Sequence, residues 1–345
     1  MQELKNRWLT QEGKKNLTNI INCLQRGNSL NTVNNLIKHA GRWDLRGAEL
    51  SILAKENKIE AGSHSVSQKL GTLKLNGVNL NSIDFSFADL SYACFSKISI
   101  DNCLFNNTNA KELDVTATNF SNCIFKKTNL VGSYFNQNQG GNSGSFKNID
   151  FIESNLSKCI FYFPIIENCT FKDCKIKETD FDGSRFKDTI FIGKIESAWF
   201  RGYAENYKKS LFELLISKKL KNIRNEMINV DFSKCELEDV LFENEINLNR
   251  CDFPNGEKYI IVKNLEKVYE KLKSIINNDW DSEYKRVALF WIENLYFSKK
   301  KQNMKVDIVN RELTSNHFPN ELYSTFFNTL ESVNIEINSS VNNHI

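Results

Sequence analysis

The chain has 345 residues, 41% of them hydrophobic and 25% charged, with a formal net charge of +3. That balance excludes a disordered chain, and it excludes a strongly acidic or basic protein whose charge alone would select its partner. The polar start MQELKNRWL carries no secretory signal, and the longest apolar cluster, Val287–Ile292, is too short to span a bilayer, so a cytoplasmic protein without a membrane span is expected.

Residues 1–40 read as a helical cap. Trp8, Leu9, Leu17, Ile20, Ile21 and Leu24 make a helix-spaced stripe, and Gly27 follows as a stop. A different rhythm then begins. After an opening pair at Leu45 and Leu50, steps of five from Leu70 land on Leu75, Leu80, Phe85, Leu90, Phe95, Ile100, Phe105, Ala110, Val115, Phe120, Phe125, Leu130 and Phe135, all apolar. At this composition chance gives such a run on the order of a few times in a million, so the period is structural. It restarts from Phe146 to Phe191 and returns at Phe232, Leu237 and Phe242, with Phe253 out of strict phase.

Two residues before each centre the side chain is mostly small, as at Ala88, Ala93, Cys103, Thr108, Cys123, Ser154 and Cys169. The residue just before the centre is often Asn, Asp, Ser or Thr, which favour turns. A period of five fits neither a helix nor a strand; it fits a chain that turns a corner every five residues. The units FADLS (87–91), KTNLV (127–131) and ESNLS (153–157) resemble those of the pentapeptide-repeat family, A-(D/N)-L-X-X. The resemblance implies a right-handed quadrilateral β-helix, mainly β, with four pentads or about 20 residues per coil. Residues 20 apart then stack one strand spacing apart, so Phe85, Phe105 and Phe125 form one ladder. The expected domains are the cap at 1–40, a β-helix at 41–254 and an α-helical domain at 255–345.

Three insertions break the β-helix phase, at 51–69, 136–145 and 201–227. QNQGGNSGS, at 137–145, is glycine-rich but has neither GxxxxGK[ST] nor a strand-to-helix context, so it reads as a projecting loop rather than a phosphate cradle. Tyr203–Met227 reads as an amphipathic helix that either packs its stripe of Tyr207, Leu211, Leu214, Leu215 and Ile223 along the solenoid wall or projects its lysines toward an acidic partner or nucleic acid. In the C-terminal part, Leu265 to Ile276 and Tyr284 to Leu295 form two helix stripes, with a turn placed at Asn277–Asp279. The stretch from Leu265 to Lys301 looks like the helical hairpin that follows such repeats in some multidomain bacterial proteins.

No chemistry-bearing constellation appears. Cys103, Cys123, Cys159, Cys169, Cys174, Cys235 and Cys251 fall in the small inward slot, where cysteine acts as a small hydrophobe, and no CxxC occurs. The four histidines, His39, His64, His317 and His344, are scattered, and neither GxSxG nor HExxH is present. No catalytic, cofactor-binding or metal residue is assigned, and no cofactor is expected. The expected function is a non-enzymatic scaffold that binds a protein partner through its helical appendages and loops, with homo-oligomerisation open and direct nucleic-acid binding not expected. The partner-binding candidates are Lys208, Lys209, Lys218, Lys219, Lys299, Lys300 and Lys301, beside Trp280, Trp291, Tyr296 and Phe297. The alternative is a gyrase-protecting DNA mimic. Residues 70–199 carry 13 Lys/Arg against 14 Asp/Glu, too little negative charge to imitate a phosphate duplex.

Overall fold

The computed structural model describes residues 2–51, 73–137, 143–203, 224–312 and 320–342. The N-terminal stripe forms two helices, α1 (Gln2–Leu9) and α2 (Gln11–Gln25). They part at Thr10, whose Oγ1 accepts the Gly13 N–H at 2.9 Å and caps α2. Only glycine fits at 13, because a Cβ there would lie 2.0 Å from the Arg7 carbonyl. The break turns Leu9, expected on the buried stripe, 57% out into solvent. α2 buries Leu17, Ile20, Cys23 and Leu24 over the first coil. α1 is held by the Arg7 guanidinium, which donates to both carboxylate oxygens of buried Asp44 at 2.8 and 2.7 Å, and by Trp8 Nε1 donating to the Arg46 carbonyl at 2.8 Å.

Next comes a β-helix of short parallel strands whose pentad centres stack into four inward columns. One runs Leu75, Phe95, Val115, Phe135, Phe161, Phe181, Phe200, Phe242. The second runs Leu80, Ile100, Phe120, Phe146, Ile166, Phe186. The third is the expected phenylalanine ladder, Phe85, Phe105, Phe125, Phe151, Phe171, Phe191, Phe232, Phe253, with ring centroids 4.5–5.7 Å apart. The fourth holds Leu90, Ala110, Leu130, Leu156, Ile176, Ile195 and Leu237. Every one of these residues is buried. Burying a Phe or Leu side chain is worth about 1.5–3 kcal/mol, so the columns carry the core.

Partners lie 20 residues apart where the coil is uninterrupted, as Leu80 on Ile100. The spacing is 40 from Asp44 to Asp84, 26 from Phe120 to Phe146 and 42 from Phe200 to Phe242, so the coil keeps its register across each insertion. The run that the sequence reading ended at Phe191 continues through Ile195 and Phe200. Here the coil shortens to 19 residues, with Ile176 on Ile195 and Phe181 on Phe200, and the slip hides the phase.

Most of the described corners share one geometry. The residue two after a centre is left-handed, with φ of 52° at Ser82, 63° at Phe87, 62° at Tyr92, 52° at Asn102 and 54° at Asn107. Such backbone costs about 1 kcal/mol or more in a residue with a Cβ. It is offset by the corner N–H, which donates to the next coil: Ser82 to Asp101 O at 3.0 Å, Phe87 to Asn106 O at 2.8 Å, Asn107 to Lys126 O at 2.7 Å. The small inward slot has a parallel logic. Thr108 Oγ1 donates to Phe85 O at 2.8 Å, Ser154 Oγ to Phe125 O at 2.7 Å, and Cys174 Sγ to Phe151 O at 3.3 Å. Side chains this short reach a carbonyl of the coil below without crowding the aromatic columns.

The C-terminal part has α3 (Leu265–Asp279), α4 (Ser282–Lys301) and α5 (Asn320–Asn342). It also has an antiparallel pair of strands, Tyr259–Lys263 and Val306–Asn310, which the helical reading of this region did not contain. Asn277–Asp279 belongs to α3; the turn comes at Trp280, extended at φ −102° and ψ 146° with its indole half-buried on the core, and Asp281. The strands close the last coil: the Leu237 N–H donates to Tyr259 Oη at 2.9 Å, and Asn310 Nδ2 donates to Leu237 O at 3.0 Å. Gln302, at the end of α4, accepts the Asn244 N–H on its Oε1 at 3.0 Å and the Glu245 N–H on its carbonyl at 3.1 Å.

Candidate protein-docking site

The solenoid walls are polar, and several of their charges are paired between coils. Glu167 sits between Lys147 at 3.1 Å and Lys187 at 2.7 Å; Lys127 meets Glu153, Lys158 meets Glu178 and Lys194 meets Glu238. These two lysines hold the Glu167 carboxyl below its ordinary pKa. An asparagine ladder, Asn168 to Asn148 at 2.7 Å and Asn148 to Asn122 at 2.9 Å, extends the pattern. Exposed pairs of this kind add little stability, but together with the near balance of positive and negative residues they leave the wall without a strong charge of one sign to attract a partner.

Of the basic candidates, Lys208, Lys209, Lys218 and Lys219 lie outside the described residues. Lys299 is drawn inward: its Nζ is 3.2 Å from the Asp307 carboxylate and donates to the Phe242 carbonyl at 3.3 Å, tying α4 to the last coil. Lys300 pairs with Glu266 at 3.1 Å. Lys301 is exposed and has no ion pair among the described residues.

The aromatic candidates divide in the same way. Trp280 and Trp291 are half-buried against the core, and Tyr296 stacks on Tyr269 with centroids 5.2 Å apart. Phe297 is 69% exposed, and one further ring, Phe290, is 65% exposed. Phe290 lies in the apolar cluster Val287–Ile292, which reads as core; its spacing of seven from Phe297, placing both on one face of a helix, was the available signal. The two rings border a cleft of about 860 Å³ between α3 and α4, lined by Tyr269, Ile292 and Tyr296 and rimmed by Lys273, Glu293 and Lys300. Lys273 and Glu293 pair across it at 3.1 Å. α4 packs on α3, which also carries α5 on another side.

Among the described residues no group of His, Cys, Asp and Glu could hold a metal ion, and no helix is long and apolar enough to cross a membrane. All nine cysteines are free. Burial pushes the thiols of Cys159, Cys169, Cys174, Cys235 and Cys251 up to about 12, the opposite of what a nucleophile needs.

The pentapeptide-repeat family matches residues 73–107 and 99–137, with eight copies of the repeat. No curated protein sequence matches the chain. Solved structures similar to it include QnrB1, a plasmid-mediated fluoroquinolone resistance protein, at 13% identity over 50% of this chain and 84% of that one, with a TM-score of 0.26. HetL, involved in heterocyst differentiation regulation in the cyanobacterium Nostoc sp., is 10% identical over 53% of this chain and 90% of its own, with a TM-score of 0.23. The matched pentads lie in four stacked columns that run on past them to Phe253, so this part of the chain has the fold of pentapeptide repeats.

Proposed function

We propose that this protein is a non-enzymatic interaction scaffold, in which the β-helix is a rigid support and the cleft between α3 and α4 docks a protein partner. The observation that carries this reading is the pair of phenylalanines, Phe290 and Phe297, left open on either side of an apolar cleft. Large exposed aromatics beside a concave apolar surface are the residue type and setting in which binding energy concentrates. Lys301 at the end of α4, exposed and without an ion pair among the described residues, adds a cation to the same helix.

The test is affinity capture from the native host with the full chain and with Phe290→Ser/Phe297→Ser, followed by mass spectrometry. Both rings are exposed, so the variant folds. The expected result is loss of the proteins retained by the parent; an identical set from both chains refutes the docking role. A gyrase-protecting wall would need uncompensated carboxylates, and the alternation of Lys and Glu from coil to coil supports the scaffold over that alternative. Protection of gyrase from a quinolone in a supercoiling assay by the Phe290→Ser/Phe297→Ser chain would place the function on the wall and overturn this reading.

A further inference from the structure

We draw no further inference here: the strongest candidate, the groove at the start of α3 lined by Lys263, Lys267 and Lys305, rests on a helix N-terminus ringed by exposed lysines, and nothing else in the structure points to a ligand there.

Discussion

Phe105→Ala is the sharpest test of the column arrangement. Phe105 is 2% exposed and lies between Phe85 and Phe125, at centroid distances of 5.3 and 4.5 Å. Its neighbours cannot close over the gap, because the strands that carry them are fixed by inter-coil bonds such as Leu104 N–H to Ile83 O at 3.0 Å and Phe105 N–H to Ile124 O at 2.8 Å. The cavity therefore stays open, and the loss belongs at the upper part of the range for Phe→Ala, about 4–5 kcal/mol. Lys111→Ala is the control. Its Nζ lies 5.1 Å from the Tyr92 ring on the outer wall, a contact worth about 0.5–1 kcal/mol at such a site. Equilibrium urea unfolding followed by circular dichroism should show a large fall in midpoint for the first and a small one for the second. Equal shifts would refute the inward placement of every fifth residue.

Two further outcomes follow from protonation. With burial holding five thiols near 12, the native thiolate fraction at pH 8 falls by about a thousandfold, so a chromogenic disulfide reagent should reach most cysteines only after denaturation; rapid native reaction of the majority would contradict the inward slot. Burial on its own would raise the pKa of Asp44, but hydrogen bonds from Arg46 and Arg7 outweigh it and hold the carboxyl well below the usual range. A depressed folded pKa means this contribution is complete above about pH 4, the unfolded value, and is lost as pH falls toward the folded one. Because Arg7 is 32% exposed, Asp44→Asn should cost about 2–3 kcal/mol at pH 7 rather than more. The variant should also lose the acid-induced change in Trp8 and Trp43 fluorescence; an unchanged acid transition would assign cap release to other carboxylates.

The columns are legible in the sequence because a five-residue step puts every centre on the same kind of site, and no other regular structure has that period. Legibility stops where the coil is shortened. Phe200 belongs to a column, yet it follows Ile195 after a four-residue step from Phe191, and a strict count loses it. The strands Tyr259–Lys263 and Val306–Asn310 are short and pair across two intervening helices, so local periodicity carries their β-branched residues but not their partnership. For the candidate site the limit is tertiary. The run Val287–Ile292 of α4 is apolar all round; the spacing of seven puts Phe290 and Phe297 on one face, but nothing local says that this face, rather than the one with Ile292, is left open. Likewise Lys299, Lys300 and Lys301 look equivalent in a basic run, and only Asp307 and Glu266, brought from elsewhere, set two of them apart.

The left-handed corners carry a kinetic consequence. Four such corners in a lone coil would cost several kcal/mol while their N–H groups faced water, and the acceptors exist only once a neighbouring coil is in place. A coil therefore does not form by itself; it adds to a finished surface, which acts as a template. The helices over the first coil and the strand pair over the last are the surfaces that do not have this strain, so growth starts against one of them. Folding of this solenoid is then directional polymerisation of a single chain, with a slow first coil and fast successors, and the rate should respond to substitutions at the starting cap far more than to equal losses of stability in the middle coils.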